Sequence, residues 1–301
     1  MSWRRRLRPL VPARYRSQAI VDRWVERATG ATVVAGPFAG MKYVVDPAAL
    51  VLPKLLGSYE RELAGVVEEC IGAAYPLVVN AGAAEGYYAV GMARAHPRTR
   101  VIAFEADARR RELLEKIAAL NGVNGRVDAA GACDRLALRR VLGQANGCRS
   151  PADSAMAPPP SRELALGQAN GYVPPADNVM APPPSPELAL GQADGCLLIM
   201  DIEGGEGELL DPEDVPALAG CTILVELHPH AVPGVDEAVR ARFTASHHIQ
   251  EILSEPRRRE DFPPIRVPLW LRLLFAEAMV NVMQERRPER MQWFYMKPCV
   301  P

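Results

Sequence analysis

The stretch LVVNAGAAEGY, residues 77–87, begins as a run of apolar residues and continues into a turn that contains two glycines. An apolar run followed by a glycine turn is typical of a buried strand that leads into a helix. A second apolar run, VIAFE at residues 101–105, follows the helical segment and ends in an acid. A strand, a glycine turn, a helix and a second strand that ends in an acid predict a nucleotide-binding unit of a parallel sheet.

The spacing of the two glycines indicates which cofactor suits the turn. The dinucleotide pattern G-x-G-x-x-G brings its second glycine against a pyrophosphate, whereas three residues, including Glu85, separate Gly82 from Gly86 here. Because a carboxylate repels a pyrophosphate, the turn favours S-adenosylmethionine, which carries no phosphate, over a nicotinamide or flavin dinucleotide. A P-loop is excluded because no G-K-[S/T] follows the turn. The alternative is a tight turn that binds no ligand.

The composition is that of a folded protein with a sizeable core. The chain has 301 residues, of which 49% are hydrophobic, and a formal net charge of −1. It could form one large or two small domains, and it has no overall charge that would attract nucleic acid. The first 16 residues are rich in arginine but lack the apolar core of a signal peptide, so we expect a cytoplasmic protein. An organelle-targeting or membrane-contacting role for this segment is the alternative.

Two further patterns limit the function classes. The longest apolar stretch near the end, residues 268–283, contains Arg272 and Glu277 and is too short to span a bilayer. The six cysteines include no C-x-x-C pair and no spacing to histidines that would form a zinc site. We therefore predict no transmembrane segment, no metal-ligating residues, and cysteines that are small buried residues in a reducing compartment.

From residue 77 onwards, strand and helix patterns alternate, which predicts a mostly parallel, doubly wound α/β sheet with helices on both faces. Residues 1–70 are predicted to be mainly helical, with a helix at 58–63 and a β segment at 41–45. Helices are expected at 86–95 and 107–120. The seven predicted strands are 77–80, 101–105, 126–130, 197–201, 223–227, 249–253 and 292–296.

An internal repeat interrupts this alternation. Residues 142–165 and 166–189 are identical at 18 of 24 positions, and each copy contains Pro-Pro-Pro, which neither a helix nor a central strand accommodates. A duplicated surface loop is the favoured interpretation because lengthening a loop costs only about 0.6 kcal/mol per doubling. A proline-helix docking site is the alternative. The predicted organisation is an N-terminal extension at 1–56 and a main domain at 57–298, interrupted by the proline-rich repeat insertion at 142–195.

Two acidic motifs lie at predicted strand ends. DIEGGE at residues 201–206 follows one buried strand, and VELHP at 225–229 ends the next. Together with the glycine turn and Glu105, they resemble the FkbM-type family of S-adenosylmethionine-dependent methyltransferases, from about Gly57 to Pro298. The resemblance implies a Rossmann-like class I methyltransferase fold, with sheet order 3-2-1-4-5-7-6 and the last strand antiparallel. It also implies methyl transfer to a hydroxyl of a small molecule, such as a sugar or a polyketide.

The resemblance assigns the cofactor site to the ends of the first four strands. Asn80 departs from the family pattern, which generally has an acid there, and an amide lacks the charge that favours the cofactor's ammonium group. The loop after the third strand is expected to line the adenine pocket. The predicted cofactor-binding residues are Asn80, Gly82, Ala83, Glu85, Gly86, Glu105, Ala106, Ala132, Cys133 and Asp201.

His228 and Asp201 are the predicted catalytic residues. A histidine just beyond a core strand could take the proton of the acceptor hydroxyl, because its ordinary pKa suits that task. The alternative is that His228 only caps the strand end. Asp201 could bind the cofactor's amino-acid end, orient the hydroxyl or hold a metal, or it could cap the following helix. Glu203 and Glu206 suit a helix N-terminus, and Glu206 is predicted to be structural.

Two other function classes stay open at this point. Asn80 is compatible with a catalytically degenerate methyltransferase fold that serves as a scaffold, with the repeats as its interaction surface. A nicotinamide-dependent oxidoreductase would share the strand–helix–strand unit, although the glycine spacing argues against it. Transfer to nitrogen rather than oxygen also fits the sequence.

Overall fold

The computed structural model describes residues 17–46, 50–145, 195–285, 287 and 290–299. Its centre is a seven-stranded sheet of order β3-β2-β1-β4-β5-β7-β6. The strands are β1 (Leu77–Ala81), β2 (Arg100–Phe104), β3 (Val127–Ala130), β4 (Cys196–Met200), β5 (Cys221–Leu227), β6 (His247–Leu253) and β7 (Gln292–Pro298).

Strand β1 lies at the middle of the sheet, and all five of its residues are buried. It pairs in parallel with β2 on one side and β4 on the other, so that Asn80 lies between Ala103 and Ile199. Strand β7 runs antiparallel to both β5 and β6, which places Trp293 beside Glu226. The strand order and the antiparallel last strand agree with the topology that the family resemblance implied. The carboxyl ends of β1, β4 and β5 consequently meet at one edge of the sheet.

Helices cover both faces of the sheet. Apolar side chains of the helices Ala64–Ala73, Tyr87–Ala95 and Ala108–Leu120 join one core cluster. Those of Arg135–Ala145 and Val235–Phe243 join a second on the opposite face, and those of Ser17–Thr29, Leu269–Leu274 and Ala276–Asn281 share a third. The helices are α1 (Ser17–Thr29), α2 (Val51–Leu56), α3 (Ala64–Ala73), α4 (Tyr87–Ala95), α5 (Ala108–Leu120), α6 (Arg135–Ala145), α7 (Glu206–Leu209), α8 (Val235–Phe243), α9 (Leu269–Leu274) and α10 (Ala276–Asn281).

Two predictions for the N-terminal part were wrong. The β segment expected at 41–45 is a single antiparallel bridge between Thr32 and Lys42 rather than a strand. The helix expected at 58–63 is a short 3-10 turn, Arg61–Leu63, that leads into α3. Glu60 has a left-handed backbone with φ of 45°, which an α-helix cannot contain, so the helix begins only after it.

The repeat at 142–195 lies almost wholly outside the described residues. Only its first positions, at the end of α6, and its last one, just before β4, are described. The division of the chain into an extension at 1–56 and a main domain at 57–298, interrupted at 142–195, stays a prediction. None of the helices in the described part of the chain has the length and apolar character that a bilayer crossing requires.

The described cysteines have free thiols. Cys70, Cys196 and Cys221 are buried, Cys133 is half-buried, and Cys299 is exposed. The expectation of uniformly buried thiols was thus wrong for Cys299, which directly follows the last residue of β7.

Candidate functional site

The glycine turn after β1 is held tightly between its neighbouring strands. Gly82 has φ of 77°, and a Cβ atom there would lie 1.6 Å from the backbone oxygen of Asp201. The amides of Gly82 and Ala83 both donate to the carbonyl of Phe104, at 2.9 and 2.8 Å. Gly86 has φ of 92°, and a Cβ atom there would meet Leu114 at 2.8 Å. Both glycines are therefore required by the backbone itself, so a substitution at either position would test the fold as well as ligand binding.

Glu105 connects this turn to the loop after β2. Its carboxylate accepts hydrogen bonds from the amides of Ala84, at 2.8 Å, and Asp107, at 2.9 Å. Arg111 donates to the carbonyls of Glu105 and Ala106, at 2.6 and 2.8 Å. The sequence predicted that Glu105 binds the cofactor. Here its oxygens organise the backbone, and each keeps a further lone pair for a ligand.

Glu85 is committed to an ion pair within the protein. Its Oε1 binds Nζ of Lys54 and accepts the hydroxyl of Tyr43 at 2.8 Å, and all three side chains are buried. Burial pushes the pKa of Glu85 up, but the Lys54 charge and these hydrogen bonds outweigh it, so the pKa lies below its ordinary value. Although Glu85 lines the cleft described below, this pairing fastens the N-terminal part of the chain to the glycine turn.

Two adjoining cavities lie at the carboxyl ends of β1, β4 and β5. The smaller has a volume of about 50 Å³ and the larger of about 600 Å³. Asn80 faces the smaller cavity; its Nδ2 donates to the carbonyl of Ile199 at 3.4 Å, and its buried Oδ1 accepts no hydrogen bond from the described residues. The residues that line both cavities are Lys54, Tyr59, Ala84, Asp201 and Glu226.

The structure brings some of the predicted site residues to these cavities and leaves others away from them. Asn80, Gly82, Ala83, Glu85, Asp201 and His228 line one or both. The predicted residues that line neither are Gly86, Glu105, Ala106, Ala132 and Cys133. Ala132 is exposed, and Cys133 packs against the core, where burial raises the pKa of its thiol to about 12. A role for the loop after β3 in the adenine pocket stays a prediction.

Asp201, Glu203 and His228 meet at the ends of β4 and β5. Nε2 of His228 lies 3.6 Å from Oδ1 of Asp201, 3.4 Å from Oε2 of Glu203 and 3.7 Å from Oε1 of Glu226. His228 is 1% exposed, whereas the Glu203 side chain is 81% exposed and faces the cleft opening. The structure thus brings together Asp201 and His228, the two residues predicted to be catalytic.

Glu206 holds the histidine from its other side. Its fully buried carboxylate lies 2.9 Å from Nδ1 of His228 and accepts the amides of Gly204, at 3.0 Å, and Ile202, at 3.2 Å. A neutral His228 therefore carries its proton on Nδ1 and directs the Nε2 lone pair at the acids. Burial lowers the pKa of His228, but Glu206, Asp201 and Glu203 outweigh it, so the pKa is raised overall.

Arg287 is the main cation at this edge of the sheet, and it is already paired. Its guanidinium contacts the carboxylates of Glu60, Glu226 and Glu285. Glu226 also accepts the indole N–H of Trp293 at 3.1 Å. Neither Glu226 nor Arg287 was among the site residues predicted from the sequence. The sequence could have indicated Glu226, because it is a charged residue within the otherwise apolar segment ILVEL. No such local pattern indicates its partner Arg287, which lies 61 residues away.

The acids of this edge outnumber the cations that face them. Burial, followed by repulsion from Glu60, raises the pKa of Asp201 to about 7, against the attraction of His228. Burial, with repulsion from Glu60 and Asp201, raises the pKa of Glu226 to about 9, against the attraction of Arg287. Oδ1 of Asp201 is buried and accepts no hydrogen bond from the described residues. This corner is therefore suited to accept a proton or a positively charged ligand.

No family model and no curated protein matches the chain. Solved structures match at low identity. An O-methyltransferase from Bacillus cereus in complex with SAH is 11% identical with a TM-score of 0.37, over 97% of this chain and 94% of that chain. The N-terminal domain of human METTL16 is 12% identical with a TM-score of 0.41, over 93% and 81%. TYW2 from Pyrococcus horikoshii in complex with MeSAdo is 13% identical with a TM-score of 0.33, over 85% and 64%.

The chain spans only part of several matched proteins. It covers 64% of TYW2, and 61% and 52% of two further matched chains. At these identities and TM-scores the likeness carries no argument about activity. The fold assignment rests instead on the strand order and registers of the sheet.

Proposed function

We propose that the protein is an S-adenosylmethionine-dependent methyltransferase that methylates a hydroxyl group of a small molecule. The observation that carries the proposal is the acid-lined cleft at the carboxyl ends of β1, β4 and β5, in a sheet of order 3-2-1-4-5-7-6. In open α/β sheets, ligands bind at this edge, where the strand order reverses. A sulfonium cation that carries no phosphate suits an edge whose strand ends supply carboxylates.

Asn80 and its neighbours fit the amino-acid end of this cofactor. The buried Oδ1 of Asn80 lacks a donor among the described residues, so it is available to accept a hydrogen bond from an ammonium group. Asp201, which lines the same small cavity and pairs with no Arg or Lys among the described residues, offers the carboxylate that position 80 lacks. A space of about 50 Å³ admits an ammonium group but not a nucleoside, which we place in the larger cleft. Asn80 therefore does not by itself mark an inactive site.

The acceptor hydroxyl is placed beside Asp201 and His228. In the transfer, the acceptor oxygen bonds to the methyl carbon in line with the carbon–sulfur bond that breaks, and the hydroxyl loses its proton. Nε2 of His228 faces the acids at the cleft edge, while Glu206 fixes the ring through Nδ1. His228 is thus the proposed proton acceptor and Asp201 the group that orients the hydroxyl.

The walls of the larger cleft favour a polar acceptor. Its lining carries acids and bases at the opening rather than a continuous apolar surface, which suits a sugar-like molecule better than a hydrocarbon chain. The charged and imidazole groups that line it, beyond the catalytic pair, are Asp46, Lys54, Glu85, Asp107, Arg109, Arg110, Glu203, Glu226, His230 and Arg287.

Calorimetric titration of the full chain tests the proposal. S-adenosylmethionine should bind and NAD(H) should not, and Asn80→Leu should weaken the affinity for S-adenosylmethionine by roughly 10- to 100-fold, the loss expected for a hydrogen bond to a charged group. Asn281→Leu changes an exposed amide at the end of α10 and serves as the matched control. A radiolabelled methyl group should then be transferred to members of a panel of hydroxylated small molecules.

Each other outcome favours a different function. Binding of NAD(H) instead of S-adenosylmethionine would favour an oxidoreductase. Binding of S-adenosylmethionine without transfer to any hydroxyl or amine would favour a scaffold built on the same fold. If neither cofactor binds, the proposal is wrong.

A further inference from the structure

We propose that Asp201, Glu203 and His228 form a binding site for one divalent metal ion at the edge of the cleft. One ligand atom from each residue lies within 4.8 Å of the other two. The sequence predicted no metal-ligating residues, because it lacks cysteine–histidine spacings, although a metal was one of the roles left open for Asp201. The three groups come together only through the pairing of β4 with β5.

The separations between the ligand atoms favour a shared cation over direct hydrogen bonds. Nε2 of His228 lies 3.4 Å from Glu203 Oε2 and 3.6 Å from Asp201 Oδ1. A charge-assisted hydrogen bond between such atoms is about 2.7–2.9 Å long. Two ligands that each lie about 2.1 Å from one metal ion are separated by about 3.0 Å in octahedral and about 3.4 Å in tetrahedral geometry. The observed separations therefore match ligands that enclose an ion.

The second nitrogen of the histidine supports the same interpretation. Histidines that bind metals usually donate their other ring N–H to a carboxylate or carbonyl, which fixes the tautomer and the ring orientation. Here Nδ1 lies 2.9 Å from the fully buried Glu206, whose position two backbone amides fix in turn. This leaves the Nε2 lone pair directed at Asp201 and Glu203.

One buried polar atom in the cluster lacks a hydrogen bond. Oδ1 of Asp201 is buried and has no donor among the described residues. Nε2 of His228 lies 3.4–3.7 Å from the nearest acids, on a side chain that is 2% exposed. Arg287 offsets these acids only in part, because it is shared among Glu60, Glu226 and Glu285. A divalent cation would give Oδ1 of Asp201 a partner and balance the excess negative charge.

The ligand set indicates the class of ion and its use. One imidazole with two carboxylates suits an ion that accepts both nitrogen and oxygen, for which Mn²⁺ is the appropriate probe. Three protein ligands leave positions open toward the cleft, as in catalytic metal sites. This consequence rests on the proposed function: a bound ion would hold the acceptor hydroxyl and lower its pKa, so its proton could leave to cleft water. In the loaded protein, His228 would then act as a ligand rather than as the base.

The test is a titration of the full chain, freed of metals by a chelator, with Mn²⁺, followed by electron paramagnetic resonance without S-adenosylmethionine. We expect one bound equivalent. Glu203→Gln and Asp201→Asn should each weaken binding at least tenfold, and Glu206→Gln roughly 10- to 100-fold, as for other metal-supporting carboxylates. Glu203 is a particularly clean position because its exposed side chain does not support the core. Glu251→Gln, on the exposed side of β6, is the matched control and should bind normally.

Circular dichroism and thermal unfolding of each variant show whether it has folded. Absence of one-equivalent binding, or binding that Glu203→Gln and Asp201→Asn leave unchanged in folded protein, would overturn the proposal. Because the readout needs no cofactor, it separates this inference from the proposed function. If S-adenosylmethionine binds but Mn²⁺ does not, only the metal site is wrong; if Mn²⁺ binds but S-adenosylmethionine does not, only the methyltransferase assignment is wrong.

Discussion

The cleft has two acidic corners, one around Glu85 and one around Asp201, and they differ in whether the carboxylate is paired with a cation. Glu85, in the glycine turn, is buried against Lys54 and Tyr43, and its pKa lies below the ordinary value despite its burial. Asp201, at the end of β4, faces acids and a single histidine, and burial together with Glu60 raises its pKa to about 7. At the glycine-turn corner Lys54 balances the charge of Glu85, whereas at the β4 corner the acids outnumber the cations. We infer that balanced ion pairs stabilise the fold and that unbalanced buried acids indicate where a ligand binds.

A second buried cation, Arg257, is also paired with carboxylates. Arg257 is buried and binds both oxygens of Glu62, at 2.7 and 2.8 Å, as well as Glu285 at 2.6 Å. Burial raises the pKa of Glu62, but the hydrogen bonds and charge of Arg257 bring it below the ordinary value. Like the Lys54–Glu85 pair, this group joins parts of the chain that are far apart in sequence. Buried ion pairs with complete partners are thus used here for attachment rather than for chemistry.

Removing the cation of the glycine-turn corner should have the largest effect. Lys54→Met keeps the apolar stem but leaves the buried Glu85 without its partner, which should lower the free energy of unfolding by about 3–5 kcal/mol. Urea unfolding followed by circular dichroism measures the change. The double variant Lys54→Met/Glu85→Gln should recover much of the loss because no unpaired charge is then buried. A loss below about 1 kcal/mol in the single variant would show that the two corners do not differ as described.

Asp201→Asn should have the opposite pattern. Because no Arg or Lys among the described residues pairs with Asp201, removing its charge should not lower the free energy of unfolding. Methyl transfer should fall by roughly 100-fold, whether the acid orients the hydroxyl or supports an ion. Single-turnover assays and urea unfolding of the same preparation give both numbers. Asp128→Asn, an exposed acid on β3 that pairs with Arg100, should change neither. Marked destabilisation by Asp201→Asn would assign this acid to the scaffold.

The smallest expected effect is in the acid dependence of stability. A carboxylate with a lowered pKa stabilises the folded state above its unfolded pKa, and this contribution is lost as the pH falls through the folded pKa. Glu85 and Glu62 are of this kind, so the protein should lose stability progressively below about pH 4.5, the ordinary value for glutamate. Urea midpoints measured between pH 7 and pH 3 should fall less steeply for Lys54→Met/Glu85→Gln. Parallel pH profiles for the two proteins would contradict the structural role of the pair.

Much of the architecture could be predicted from the sequence because its signals are local. The apolar runs and the glycines at 82 and 86 are signals carried by neighbouring residues. The seven strands, and the two helices predicted at 86–95 and 107–120, form within a few residues of their predicted bounds. The wrong predictions lie in the N-terminal part. There the left-handed backbone of Glu60 is incompatible with the helix predicted at 58–63. Periodicity contains no information about such a backbone conformation in a residue other than glycine.

The candidate site was only partly predictable for the same reason. DIEGGE and VELHP indicated acids and a histidine at strand ends, and Asp201 and His228 do line the cleft, although their catalytic roles stay a prediction. The sequence could not show that Lys54 forms an ion pair with Glu85, which is 31 residues away. Nor could it show that Arg287 pairs with Glu60, which is 227 residues away. Pairings over such separations depend on how the strands and loops pack together.

The sequence by itself therefore determined the sheet, the turn that only glycine allows, and the identity of the acids at its carboxyl edge. Only the tertiary structure decided which of those acids have a cation beside them. Secondary structure follows from the spacing of apolar residues along the chain, whereas charge balance at a buried site is a sum over groups from distant segments. Lys54 balances the charge of Glu85, whereas Oδ1 of Asp201 has no donor among the described residues. This difference in charge balance distinguishes the structural ion pair from the proposed site of methyl transfer.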